Sequence, residues 1–377
     1  MGESFVVSSA SSILKNTAVP QPGAGGNAAS AASESVPSID FIGKSTFAPE
    51  AEWTVGGAFI YDGAIKQFCR YANNFVPSMH LKCISGAPAC LWTLDWFAAR
   101  PMVSPQAIVS TIREHLQNRC SFQLDFDNPH LVPADCEDAI GNMLLQACTT
   151  LPGGEVYICV ASECLASHVR SRYPSFKLIA GENYVVDKNA RGNVDFYLSS
   201  LKIFDRVVVH PEDAIDLDFM KKLLAAGVPA ERLEVVVNDT CLRACPCRRE
   251  HLKALSDLRR SPYDALPRQA RQTALAQAKC EDVTPTGPQT PGEHAAILTR
   301  TEIRALYALG IRHFRLQATK LRNELTLSWQ MGEWFCSDDP ALWNKKAAFV
   351  NGAVVNVLLP QAPVKTGLEP FVKRKYD

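Results

Sequence analysis

The residues best equipped for chemistry lie between Leu233 and His251, in the stretch LEVVVNDTCLRACPCRREH. Leu233 to Val237 is an apolar, β-branched run that reads as a buried strand. Cys241, Cys245 and Cys247 follow within ten positions of its end, in a loop or helix start. Cys241 and Cys245 stand four apart, so on a helical turn their sulfurs share one face. Strand ends that feed helices are where α/β proteins place their chemistry, and thiolates gathered there point to a metal ion or an iron–sulfur cluster. The competing reading is plain packing, because cysteine is among the most buried residue types. Arg243, Arg248, Arg249 and Glu250 surround these thiols and Pro246 interrupts them, which is a poor composition for a core. The spacing is not the CxxC pair of a zinc ribbon.

In the order Asn238, Asp239, Cys241, Cys245, Pro246, Arg248, His251, this stretch resembles the collagenase-like "peptidase" family and its uncharacterised relatives. Three other segments carry the same resemblance: Asp138 and Asn142 followed by Leu144 and Leu145; Arg170, Tyr173, Pro174, Phe176, Lys177 and Leu178; and Glu302 to Leu316. Together they cover about residues 79 to 330. Better-understood members are iron–sulfur proteins of oxygen-independent hydroxylation, acting in ubiquinone synthesis or on RNA. The resemblance implies an α/β barrel and a [4Fe-4S] cluster, with Cys241, Cys245 and Cys280 as ligands. Arg248, His251 and Asn238 become the catalytic candidates, Arg248 for an anionic group and His251 for a proton. The competing assignment pairs Arg248 with Glu250 or Asp239 and leaves His251 in packing. Two departures stand out: the strand Phe314 to Thr319 lacks the glycine expected after it, and Cys247 is an extra thiol.

A cubane cluster takes four thiolates. Cys90 is the preferred fourth ligand, because it follows a predicted strand, Met79 to Ile84, and in a parallel barrel that loop opens on the same face as the cysteine loop. Cys247 is the alternative, although two residues from Cys245 its thiol turns away on a helix. Cys83 is the next choice, although inside the strand it reads rather as core, as do Cys69, Cys120, Cys136, Cys148, Cys159, Cys164 and Cys336. Zinc held by cysteines with a histidine is the other metal reading. No serine nucleophile elbow and no HExxH motif occurs, so peptidase chemistry finds no support.

The elements that must position these residues alternate along the chain. The strands expected are Ile39 to Phe47, Met79 to Ile84 (closed by a turn at Ser85-Gly86-Ala87-Pro88), Phe122 to Phe126, Glu155 to Val160, Lys177 to Ala180, Arg206 to His210, Leu233 to Val237 and His313 to Leu316. The helices expected include Pro105 to Leu116 behind a Ser104 cap, and Pro133 to Cys148 with Ile140, Met143, Leu144 and Ala147 inward. Others are Ser162 to Arg172, Asp216 to Ala226 ending at Gly227, a helix reaching Arg260 after the cysteines, and Arg304 to Leu309. Apolar strands separated by helices imply a parallel sheet buried on both faces. A single (β/α)8, TIM-like barrel fits the count. The runner-up, an open doubly wound sheet, lacks a phosphate-binding glycine loop.

Domain organisation follows: a low-complexity, disordered tail over 1–38, the barrel over 39–330 with an insertion near 261–299, and a Trp-rich extension over 331–377 packed on it. The 39 Lys and Arg balance the 39 Asp and Glu, which excludes the electrostatic footprint of a general nucleic-acid binder. The basic run from Arg243 to Arg260 is expected to be a solvated helix face. Thirteen cysteines without a secretory signal indicate reduced thiols and a cytoplasmic protein, and no run is long enough to span a membrane. The expected activity is iron–sulfur-dependent redox modification of a small-molecule or RNA-borne ring. The alternative is a non-catalytic barrel with a structural zinc or iron–sulfur site, working as a protein partner's subunit.

Overall fold

The computed structural model describes residues 48, 50–66, 81–94, 104–242, 245–260 and 294–317. Its strands are β1 (Glu52–Val55), β2 (Leu81–Gly86), β3 (Ser121–Phe126), β4 (Val156–Val160), β5 (Lys177–Ala180), β6 (Arg206–Val208), β7 (Leu233–Val236), β8 (Asn238–Leu242), β9 (His294–Ile297) and β10 (His313–Leu316). Eight of them close a parallel barrel in the order β1-β10-β7-β6-β5-β4-β3-β2. The open doubly wound sheet is thereby excluded. β8 and β9 form a separate antiparallel ribbon.

The period-two alternation of a strand sorts side chains between two environments. Outward residues such as Phe122, Leu124, Phe126, Ile158, Val160, Leu178, Val207, Val235 and Phe314 join the main apolar core beneath the helices. Inside the barrel, Cys159, Ile179, Val208 and Val236 make a small separate cluster with Tyr157 against it. The inward positions between them are polar or charged: Gln123, Asp125, Arg206, Glu234 and Arg315.

The helices are α1 (Pro105–Gln117), α2 (Ala139–Cys148), α3 (Glu163–Arg172), α4 (Glu182–Asp187), α5 (Val194–Ser200), α6 (Pro211–Ala214), α7 (Leu217–Ala225), α8 (Arg248–Arg260) and α9 (Arg300–Ala308). Ser104 caps α1 as its sequence predicts, accepting from the Ala107 N–H at 3.2 Å. Gly227 ends the α7 turn at φ +91°, which a side chain rarely tolerates. Thr299 and Glu302 form a capping box on α9. No helix among the described residues is long and apolar enough to cross a membrane.

Several sequence expectations are corrected. β2 runs through Ser85 and Gly86, where a turn was expected. Pro133 to Cys148 is not one helix: a 3-10 turn spans Pro133–Glu137, and Asp138, extended at ψ 120°, then caps α2 by accepting from the Gly141 N–H at 2.6 Å. The buried face of α2 is Gly141, Leu144, Leu145 and Cys148, whereas Ile140 and Met143 are exposed. Gly141 sets that rotation, because a Cβ there would lie 2.4 Å from the Trp92 ring. Helices α4 and α5 were not expected. The first expected strand, Ile39 to Phe47, lies outside the described residues; β1 stands just after it. Residues 1–38 and 331–377 also lie outside them.

The segments that carried the family resemblance have a structural use. Asn142 donates to the carbonyls of Cys136 (2.8 Å) and Asp138 (2.9 Å), its Oδ1 meets His168 Nε2 at 2.8 Å, and the Tyr173 hydroxyl donates to its carbonyl at 3.3 Å. Arg170 pairs with Asp205 at 2.6 Å and donates to the Phe176 carbonyl at 3.1 Å. Asp205 in turn accepts from the Leu178 N–H at 2.7 Å, tying the start of β6 to β5. These side chains hold the outer helices to the barrel.

Candidate functional site

Parallel strands place every connection that follows a strand on one face, the C-terminal mouth of the barrel. The connection after β7 does something unusual there. The chain continues from Val237 into β8, pairs with β9, and returns through Leu298, whose N–H donates to the Val237 carbonyl at 2.9 Å. Among the described residues, Asn238–Leu242, 245–260 and His294–Ile297 therefore belong to one excursion that leaves and rejoins the barrel at Val237. Most of the insertion expected over 261–299 lies outside the described residues; the cysteine loop stands on the same departure from β7.

The helical reading of that loop is overturned. Cys241 lies in β8, Cys245 lies in the turn before α8, and the two thiols do not share a helical face. The ribbon register explains this: Asp239 faces Ala296 and Leu242 faces His294, so β-pairing captures the segment before a helix can begin. Cys247 immediately precedes α8, and its carbonyl accepts from the His251 N–H at 2.9 Å.

Helix α8 crosses the mouth. Its thirteen residues span about 20 Å. At one end Arg248 pairs with Asp239 at 2.8 Å and with Glu182, the first residue of α4 after β5. At the other end Arg259 Nε donates to the Thr93 carbonyl at 2.8 Å, in the connection after β2. Arg260 donates to the His130 carbonyl after β3 and pairs with Asp135 at 3.0 Å. In the eight-strand order β7 and β3 are four apart, on opposite sides of the barrel. The basic run is thus only partly the solvated face expected of it: Arg249, Glu250, Lys253 and Asp257 are exposed, while its arginines at both ends fasten the helix.

Beneath this roof, side chains from four connections meet. Glu182 is carried to the rim by Gly181, whose lack of a side chain is required: a Cβ there would lie 2.9 Å from Cys159 Sγ. Gln317, one residue past β10, donates to Glu182. Asn238 holds Gln317 by two bonds, donating to its carbonyl at 2.6 Å and accepting from its N–H at 2.8 Å. Asp239, fully buried, also accepts from the Cys241 N–H at 3.1 Å. His210, two residues past β6, feels Arg248, Arg191 and Asp239. Burial works against the Arg248 charge, but Asp239, Cys241 and Glu182 outweigh it, and the guanidinium is held protonated well beyond its ordinary range.

Of the expected site residues, the fold brings Arg248, Asn238 and Cys241 to this cluster. His251 is buried on α8, one turn past Cys247. Cys245 and Cys247 are half-buried at the start of that helix. Cys90 lies after β2 on the mouth side, as the shared-face argument expects, but it is part of the apolar core and burial pushes its thiol well up. Cys83, Cys120, Cys136, Cys148 and Cys159 are buried as expected, and Cys164 is half-buried. Cys69, Cys280 and Cys336 lie outside the described residues. Among the described residues no three His, Cys, Asp or Glu side chains come together as a metal would require. Cys90, Cys241, Cys245 and Cys247 are thus not gathered into such a group, and the expected ligand Cys280 lies outside the described residues.

Sequence reasoning missed Glu182, His210 and Gln317, which sit beside strands in otherwise unremarkable context. It also missed the barrel interior. There Arg315 Nε binds Glu234 at 2.5 Å, with Asp125 at 3.4 Å and Cys159 Sγ at 3.7 Å from its other nitrogens, and Arg206 binds Glu234 at 3.1 Å. Burial pushes the Glu234 carboxyl up, but Arg315 and Arg206 outweigh it, leaving it at about 2. The available signal was a charged residue, Glu234 in LEVV and Arg315 in HFRL, inside an otherwise apolar strand.

No protein-family model matches the chain, and no curated protein matches it. Among solved structures, the chain is similar to the U32 peptidase Mk0906 at 11% identity and a TM-score of 0.42, over 73% of this chain and 94% of that one.

Proposed function

We propose that this chain is an enzyme, or the catalytic subunit of one, that holds its substrate at the C-terminal mouth of the barrel beneath α8. The carrying observation is the convergence of Glu182, Asp239, Arg248 and Gln317, from the connections after β5, β7 and β10, on one nearly buried spot. Arg248 fixes both carboxylates, Gln317 orients Glu182, and the helix keeps bulk water away. Arg248 is already engaged by both carboxylates, so the spot suits a neutral or cationic group better than the anion first expected for Arg248.

The reaction class rests on Cys241, Cys245 and Cys280 and on the resemblance of their loop: oxygen-independent hydroxylation, or a related redox modification, of a small-molecule or RNA-borne ring. Cys241 lies within electrostatic reach of Arg248, which places a thiol beside the carboxylate cluster. The test is purification without air followed by assay of iron, sulfide and zinc. Iron and sulfide that fall sharply in Cys241→Ser, Cys245→Ser and Cys280→Ser support the reading; an iron-free protein that binds zinc tightly defeats it.

A second reading has its own observation. Arg248 and Asn238, two of the three catalytic candidates, are both engaged by protein groups, as in a structural brace. A non-catalytic barrel with a zinc or iron–sulfur site, working as a partner's subunit, would use them so. Size-exclusion of the native material separates the two: a stable hetero-complex favours the subunit, an active monomer the enzyme.

A further inference from the structure

His210 was marked by no motif, since RVVVHPED reads only as a strand and a turn. The residue is 7% exposed at the mouth. The Glu212 backbone N–H donates to Nδ1 at 3.3 Å. Nδ1 is therefore an acceptor, and the ring hydrogen of the neutral imidazole sits on Nε2. The backbone is pinned as well: the His210 N–H donates to the Tyr197 hydroxyl at 3.0 Å, Tyr197 donates to Asp213 at 2.9 Å, and Asp213 accepts from the Gly192 N–H at 2.9 Å. Nε2 has no hydrogen-bond partner among the described residues. The charged groups around the ring are Arg248 on α8, Asp239 on β8 and Arg191 before α5, the last paired with Glu212 at 2.7 Å. Burial first, then Arg248 and Arg191, hold the ring down to about 4 against Asp239, so it is neutral at neutral pH.

We propose that His210 is a ligand-binding residue of the mouth, whose Nε2–H donates a hydrogen bond to a neutral oxygen of the substrate, such as a ring carbonyl. An imidazole locked in one tautomer, with a free donor at a nearly buried position, supplies direction without charge. The oxygen is neutral because the donor carries no charge and Arg248 is already engaged by Asp239 and Glu182, so it is not free to offset a buried anion. This inference rests on the reading of the mouth as the substrate site.

The test uses the full chain, with histidine and the glutamine and asparagine side chains labelled with nitrogen-15. Two probes are titrated: N-methyl-2-pyridone, a neutral ring with one carbonyl, and benzoate, a ring of the same size with an anionic oxygen. The expected result is a His210 ring carrying its hydrogen on Nε2 from pH 8 to 5. Its Nε2–H should shift saturably with the pyridone, together with the Gln317 amide, and benzoate should bind at least about tenfold more weakly. His210→Leu should abolish the pyridone shifts at Gln317, while His210→Gln, which retains a donor, keeps them. If Gln317 responds but His210 does not, the role of His210 is overturned and the mouth stands. If neither responds, both fall. A ring that is cationic, or hydrogenated on Nδ1, at pH 7 overturns the inference without any probe, and benzoate binding as tightly as the pyridone overturns the neutral oxygen.

Discussion

The barrel interior and the barrel mouth both bury charge, and they do so in opposite ways. Inside, Glu234 and Arg315 are carried on neighbouring strands β7 and β10, whose ladder fixes their backbones before any side chain is placed. Arg206 and Asp125 complete a set with two positive and two negative charges. At the mouth, Glu182, Asp239 and Gln317 stand just beyond the strand ends, and their cation arrives on a helix that enters by excursion. A network whose backbones are fixed by the strand ladder serves the scaffold, whereas one assembled from connections can answer to a ligand.

The largest effect should come from breaking the interior. Arg315→Leu leaves Glu234 buried with Arg206 alone, and should cost about 3–5 kcal/mol in denaturant unfolding. A loss under 1 kcal/mol would erase the distinction drawn here. The same network gives a pH signature. Because the folded Glu234 pKa of about 2 lies below its ordinary value of 4.5, its contribution is present above pH ~4.5 and lost as pH falls toward 2. Acid unfolding of the wild type should show that loss, and Glu234→Gln should not.

Breaking the mouth should act locally. Arg248→Leu releases the start of α8 from Glu182 and Asp239, so amide exchange in α8 should quicken by about 10–100-fold while the barrel strands keep their protection. Uniform quickening across β3, β4 and β7 would show that the mouth is scaffold too. Asn238→Ala removes two bonds to the Gln317 backbone and should cost about 1–3 kcal/mol, again read by unfolding.

The smallest effect concerns Asp213, beneath His210. Burial raises its carboxyl to about 6, against the Gly192 and Tyr197 hydrogen bonds. A raised acid contributes stability that is complete below pH ~3.8 and is lost as pH rises through 6. Asp213→Asn should flatten the stability profile between those limits, and an unchanged slope would remove Asp213 from the account.

Periodicity alone determined a good deal of this protein. Continuous apolar runs such as LEVVV and KLIA can only be strands buried on their outer faces, and β5 and β10 have the bounds expected of them. Ser104, Gly227 and the late helix were legible because caps and turns are local chemistry. The cysteine loop was legible as something other than core, since its composition is wrong for one, and Cys241, Cys245 and Cys247 are only half-buried. Its conformation was not, because β8 exists only by pairing with β9, more than fifty residues away, and no local propensity encodes that partner. The bend at Asp138 and the rotation of α2 had the same origin: a contact with Trp92 from another connection decides which side of the helix is buried. The mouth cluster was the least legible of all. Glu182, His210 and Gln317 are ordinary residues in sequence, and they come together only because eight parallel strands end on one face and a helix crosses it.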